Sequence, residues 1–256
     1  MYQVQGHLWH LTWVLARADF KLRYHGSVLG FFWALLKPLF IFLVLNLVFS
    51  HLFSSGVEYY SLQLLTGIML WNFFAEGSML GLTSFVGKAH ILTKMSFPRW
   101  VVVVASCLQS LMSFAVNFFI LVGALLLFGP TLALWQLLML LAYSLLIFAV
   151  ILAFSLLTSA LFARYRDLNQ IWEVLLTGGF FAAPVIYPMT ILPESLRNWF
   201  YLNPMTFIIE HAKGVIFLAE LSRPDHHLIY LGVVLVALLL GIWVFARFQG
   251  RAVEYL

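Results

Sequence analysis

Six apolar runs constrain this chain more than any other feature, at approximately residues 28–53, 60–86, 100–128, 132–162, 171–187 and 228–246. A helix needs about 20 predominantly apolar residues to cross the hydrocarbon core, and each run approaches or exceeds that length. A membrane β-barrel would show alternating segments of about ten residues instead, and the chain has none. Composition agrees: of 256 residues, 63% are hydrophobic and 9% charged, too little polar surface to cover a soluble globule. The expected fold is an all-α integral membrane protein with about six transmembrane helices. Turn signals separate several runs: Ser54-Ser55-Gly56, Gly129-Pro130 and a Pro-rich stretch after Tyr187.

The basic residues orient these spans. Arg17, Lys21 and Arg23 precede the first run, and Lys88, Lys94 and Arg99 join the second to the third. Arg164 and Arg166 join the fourth to the fifth, and Arg247 and Arg251 follow the last. All fall on one side. The other side carries Glu58, a bare Gly129-Pro130 turn, and a segment where Arg197, Lys213 and Arg223 are diluted by Glu194, Glu210, Glu220 and Asp225. The positive-inside rule therefore puts both termini in the cytoplasm of a multi-pass protein of the cytoplasmic (inner) membrane. The net charge of +4 is a topological signal and not nucleic-acid affinity. The N-terminus lacks a short apolar region followed by a small-residue cleavage site, so no cleavable signal peptide is expected. The lone Cys107 permits no intrachain disulfide. One membrane domain, 1–256, divides into an interface helix and headgroup loop (1–27), five spans (28–187), an external segment (188–227), and a last span with its tail (228–256).

Residues before Arg23 read as an amphipathic helix lying in the cytoplasmic interface. At 100° per residue, His10, Arg17 and Lys21 share a stripe flanked by Trp9, Trp13 and Phe20, and Leu8, Leu11, Leu15 and Leu22 take the other face. Such a helix serves either as an anchor alone or as a docking surface. Gly26 and Gly30 allow a sharp turn after it, holding Lys21, Arg23 and His25 where a lipid phosphate would find several cationic donors. Juxtamembrane cations also set topology by themselves, and composition alone favours that role. Lys37 is less easily explained, lying about 12 Å along the helix from Leu29, where a lysine costs about 3 kcal/mol on insertion scales. It needs water or a partner, and Pro38 loosens the preceding helical turn. Glu76 is the candidate partner, about 18 Å before Lys88 on the oppositely running second span.

Catalytic constellations are scarce. Gly81 to Ala89 (GLTSFVGKA) imitates a phosphate loop but has one residue too many between its glycines, and Ala89 stands where Ser or Thr should hold magnesium. No nucleotide site or other cofactor is expected in this chain. His7 with His10, and His226 with His227, lack acidic or Cys partners at metal-binding spacing, and ordinary interfacial histidines are the favoured reading. Neither Asp167 nor Glu173 belongs to a nucleophile and base pair. The segment 188–225 is long for a loop yet apolar, with brief helical stretches such as 206–218. Re-entrant half-helices forming an external gate fit this pattern, as does a structural cap.

Four stretches also carry a resemblance: LRYHGSVLGFFWALLKPL near the start, ILTKMSFPR after the second run, ARYRDLNQIW between the fourth and fifth, and YLNPMTFIIEHAKGVI in the external segment. Together, in this order, they resemble the permease subunits of ABC polysaccharide exporters, the group of O-antigen, capsule and teichoic-acid exporters, with the Wzm-type O-antigen permeases nearest. The resemblance implies a homodimer working with two copies of a separate ATPase subunit, which would bind ATP and magnesium. It would move a polysaccharide on a polyprenyl pyrophosphate carrier from the cytoplasmic to the external leaflet. By the same resemblance Lys21, Arg23, Tyr24 and His25 would meet the pyrophosphate near a lateral entrance. The segment 87–98, with Lys88, His90, Lys94, Phe97, Pro98 and adjoining Arg99, would couple to the ATPase, helped by the N-terminal helix. Arg166-Asp167 matches the family's RDL element, assigned to structure and coupling. The external gate would comprise Pro188, Trp199, Asn203, Pro204 and Met205. His211-Ala212-Lys213 departs from the aromatic and Arg that many relatives carry.

A sugar polymer cannot cross an apolar barrier unaided, because each unpaired hydroxyl would cost a few kcal/mol. Aromatic rings offer flat faces for sugars, and the candidates for the channel or lateral gate are Phe32, Trp33, Tyr59, Tyr60, Trp71, Phe73 and Phe74, together with Lys37, Pro38 and Glu76. Most aromatics in such a chain serve as belt or packing residues. Two other classes share part of the pattern. A drug or small-molecule ABC exporter would favour an apolar lateral pocket, and a membrane glycan-transfer enzyme would need paired carboxylates or a basic catalytic cluster outside. The chain is therefore read as a transport subunit and not an enzyme.

Overall fold

The computed structural model of the chain describes residues 2–53, 56–94, 97–201, 203–221 and 224–252. Ser54 and Ser55 of the first expected turn, Met95 and Ser96 of the coupling segment, and Arg223 lie outside the described residues, as does the Arg251 side chain. Ten α-helices are described: α1 Tyr2–Tyr24, α2 Trp33–Phe53, α3 Tyr60–Gly87, α4 Ala89–Leu92, α5 Trp100–Phe128, α6 Leu134–Arg164, α7 Leu168–Ala182, α8 Glu194–Phe200, α9 Pro204–Lys213 and α10 Pro224–Ala252. Among the described residues there is no strand. Among the described residues four stretches are long and apolar enough to cross a membrane: Gly30–Phe53, Trp100–Phe128, Leu134–Arg164 and Asp225–Gly250. They correspond to α2, α5, α6 and α10.

The other two expected spans differ for physical reasons. Helix α3 has 28 residues, about 42 Å of helix, yet Gly, Ser, Thr, Asn and Glu interrupt its apolar sequence. It packs on α2, α5, α6, α7 and α9, so protein covers much of its surface. Between membrane helices the hydrophobic effect vanishes and close packing through small residues takes over. A Cβ added at Gly81 would lie 1.8 Å from Ser155 Oγ on α6, and one at Gly77 would lie 2.6 Å from an Ile151 methyl. Gly241 on α10 approaches α6 in the same way, its absent Cβ falling 2.6 Å from the Ala153 carbonyl oxygen.

Helix α7 stops at Ala182, short of the expected 187. Pro184 follows Ala183, and a residue before proline is driven out of the α region; Ala183 adopts φ −91°, ψ 152°. The irregular turn that follows has its carbonyls answered. Lys213 Nζ donates to Pro184 O at 2.5 Å and Val185 O at 3.1 Å, and Tyr60 Oη donates to Ile186 O at 2.8 Å. Buried non-helical backbone is tolerated only under that condition. Lys213, counted in the sequence as one more external charge, is instead a buried side chain that holds this turn.

Helix α1 also departs from expectation. Trp9 meets Trp100, Asp19 O accepts from Gln109 Nε2, and Tyr24 Oη lies 3.4 Å from Ser113 Oγ. These contacts advance along both helices together, so α1 lies lengthwise against the first half of α5. Its buried stripe centres on Thr12 and Ala16 rather than on the leucines, because small side chains let the two backbones approach. Leu22 is exposed.

Candidate functional site

Where α1 ends, Gly26 and Gly30 both take positive φ, 76° and 47°, and turn the chain into α2. This hairpin sets the end of α1 and the first half of α2 against the middle of α3 and α5. A cleft of about 1160 Å³ opens between them, with α7 contributing Leu176 and Phe180. Arg23, Tyr24, Trp33, Lys37, Pro38, Phe73 and Glu76, all named from the sequence, line this one cleft. Lys21 and His25 are exposed beside it, and Phe32 is exposed at the start of α2.

The charges pair differently from expectation. Glu76 is taken by Arg23, whose Nη1 donates to its Oε1, and not by Lys37. A planar guanidinium offers a fork of donors that suits a carboxylate, and the turn at Gly26 leaves Arg23 at the cleft wall. Arg23 also lies 5.6 Å from the Tyr24 ring centroid, within a cluster where Phe20, Tyr24 and Phe31 meet at 5.3–5.6 Å. Among the described residues Lys37 has no carboxylate partner and is exposed on the cleft side of α2.

Pro38 has a consequence that the sequence only hinted at. Lacking an N–H, it leaves the Ala34 carbonyl without its intrahelical donor. Asn117 Nδ2 on α5 fills that place at 3.3 Å and also donates to Ser113 O at 3.2 Å. The kink-prone point of α2 is thereby tied to α5 inside the cleft.

Several expected site residues are elsewhere. Tyr60, Trp71 and Phe74 are buried packing residues: Trp71 lies edge-on to Phe74 and Phe180, and Phe74 to Trp172. Phe73 stacks on Phe114 at 4.1 Å and still borders the cleft. Tyr59 caps α3 in a left-handed conformation and stacks on Phe217, about 24 Å of helix from Glu76. Lys88 turns inward, pairing with Asp19 at 2.6 Å and donating to Ser106 Oγ at 2.7 Å. It fastens α1 to the bundle and is no longer a surface cation. His90, Lys94 and Pro98 are exposed, Phe97 packs on the core, and Arg99 Nη1 donates to Gln249 O.

At the far end of the bundle, Asn203 Oδ1 accepts from Met205 N at 3.0 Å and caps α9, with Pro204 in its first turn. Met205 is buried, Trp199 is exposed on α8, and Pro188 opens the turn before Met189–Ile191. The gate candidates thus surround α8 and α9, away from the cleft. Gln136, unnoticed in the sequence, accepts from Ala133 N and donates to Val215 O, joining α6 to the end of this segment. Asn72, Ser110 and Asn117 line the cleft and were also passed over, although polar side chains inside apolar runs were the available signal. Among the described residues no group of three or more His, Cys, Asp or Glu side chains gathers for a metal ion.

Comparison with known proteins bears on this arrangement. An O-antigen export system permease protein RfbA of Klebsiella pneumoniae is 26% identical over 255 residues, covering 98% of this chain and 96% of the relative. One of the same name from Myxococcus xanthus is 29% identical over 261 residues, covering 100% of this chain and 96% of its own. The signature of the ABC-2 type transporters matches residues 10–217, which take in the cleft, the hub helix α3 and the α8–α9 segment, so this chain belongs to that family as a membrane permease.

Proposed function

We propose that this chain is the permease subunit of an ATP-driven exporter that moves a lipid-linked polysaccharide, O-antigen or similar, from the cytoplasmic to the external leaflet of the inner membrane. It acts as a homodimer with two copies of a separate ATPase, which binds ATP and magnesium. The observation that carries this reading is the cleft. It joins an Arg and a Lys suited to a pyrophosphate with aromatic and aliphatic walls suited to a prenyl chain and sugar faces. The full-length relatives named for O-antigen export support the cargo class.

In this reading six segments cross the membrane: α2, α3, α5, α6, α7 with the turn that follows it, and α10. The basic residues keep both termini cytoplasmic. Arg23 exchanges Glu76 for the lipid pyrophosphate at a lateral entrance, with Lys21, Tyr24, His25 and Lys37 at hand. Helix α4 and the exposed His90, Lys94 and Pro98 dock on the ATPase, and Lys88 contributes by holding α1 in place. The α8–α9 segment, re-entrant from outside, forms the external gate. Purification of the chain from its native membranes, followed by mass spectrometry, tests this. A phosphate-loop ATPase and a polyprenyl pyrophosphate glycan are expected together, and a stable chain carrying neither overturns the proposal.

A further inference from the structure

The cleft contains a second polar layer, deeper than its charges. Asn72 precedes Glu76 by about one helical turn on the same face of α3, about 6 Å nearer the other end of the bundle. Its Nδ2 is buried with no hydrogen-bond partner among the described residues. Asn117 Oδ1 is buried and unpartnered too. The orientation of the Asn117 amide is set by its surroundings, because Nδ2 serves the carbonyls of Ala34 and Ser113. A flipped amide would place oxygen against two oxygens. Both asparagines line the cleft. An unanswered amide group on Asn72 and an unanswered acceptor on Asn117 in one cavity are costly to leave unpaired, and such groups ordinarily find a partner or a bridging water.

The chemistry of that pair selects its ligand. A phosphate offers acceptors only and cannot answer Asn117 Oδ1. A prenyl chain answers neither. A hydroxyl both donates and accepts, and a hydroxylated ring presents several at fixed angles. Trp33 and Phe180 line the same cleft and offer apolar ring faces to the C–H side of a sugar, while Phe73 and Phe114, stacked on each other at 4.1 Å, back its wall. From these features we infer that Asn72 and Asn117 form a subsite for a neutral sugar ring, the residue attached directly to the phosphate of the lipid-linked cargo. The inference rests on the exporter reading, and it adds selection of a glycosylated carrier over a bare one. One helical turn between the charged layer and the amide layer accommodates a single ring next to its phosphate.

The test compares two probes on the full chain in nanodiscs by native mass spectrometry: undecaprenyl pyrophosphate bearing one N-acetylglucosamine, and undecaprenyl pyrophosphate alone. The native chain should prefer the glycosylated lipid about tenfold, the ratio that one well-made hydrogen-bonding site brings. Asn72→Leu should cut that preference to threefold or less while binding the bare lipid as before. Asn72→Ala carries the same expectation should the leucine variant fail to assemble. Arg23→Gln should weaken both lipids together and keep the preference. Equal binding of the two lipids by the native chain, or an unchanged preference in the Asn72 variants, overturns the subsite and leaves the exporter reading standing. Failure of the native chain to bind either lipid overturns both.

Discussion

At the scale of single residues, the pairing of Pro38 with Asn117 makes a sharp test of how the cleft is held. Asn117→Leu leaves the Ala34 carbonyl unpaired in a partly buried place and should lower stability by about 1 kcal/mol. Pro38→Ala in the same chain restores the intrahelical N–H that Ala34 lacks, so the double variant should regain most of that loss. Unfolding of the four chains in mixed micelles by titration with dodecyl sulfate reads the coupling. Additive losses would mean that Asn117 matters for some other reason. These residues also show how far the site was legible beforehand. Arg23, Lys37, Pro38 and Glu76 stood out as charge or proline within apolar sequence, and all four reach the cleft. Their pairing was not legible, because it depends on the turn at Gly26 and on the lengthwise packing of α1 on α5. Asn72 and Asn117, uncharged, carry no such mark in the sequence. Their significance is an unsatisfied hydrogen bond, which exists only once neighbouring helices are in place.

At the scale of helices, α3 is the element on which the bundle closes, and its glycines separate two kinds of replacement. Gly81→Ala would drive a methyl into Ser155, where both Oγ and Cβ lie under 3 Å away, and should cost about 1–3 kcal/mol as overpacking. Gly123→Ala in α5 meets open space and should be neutral or stabilising by up to about 1 kcal/mol, because alanine favours helix. Thermal inactivation of the two purified variants distinguishes them, and equal stability would mean that α3 and α6 are less closely packed than described. The same contrast explains which elements the sequence revealed. Helices α2, α5, α6 and α10 have large exposed apolar faces and long apolar sequences. Helix α3 faces protein, where small and polar residues improve contact, so its hydropathy understates its length. The break expected after Tyr187 is moved forward to Ala182 by Pro184; only the positions of Lys213 and Tyr60 show how the freed carbonyls survive burial.

At the scale of the whole molecule, apolar faces are exposed on several of the described helices, and two of these stripes border the cleft. On α2, Phe40, Leu43, Val44 and Leu47 recur at helical spacing and are exposed; on α7, Ile171, Val174, Leu175 and Phe181 do the same. Lipid could cover both, but these two helices also form walls of the cleft, which therefore opens sideways. A second copy packed through α2 and α7 would close the cleft from the side and line a path with two sets of aromatic rings, whereas lipid would leave it open. The proposed homodimer predicts proximity across those stripes. Cys107, the chain's one cysteine, is buried and can be replaced by Ser to give a cysteine-free background. Single cysteines at Leu43, Leu47, Val174 and Phe181 should then yield oxidant-dependent dimers in native membranes at one or more positions of each stripe. A cysteine at Trp243, exposed on α10, should give none. Cross-linking at Trp243 with silence at α2 and α7 would move the two-fold axis to α10. The cleft would then face lipid in the assembled transporter, and its lateral opening would need no second copy to account for it.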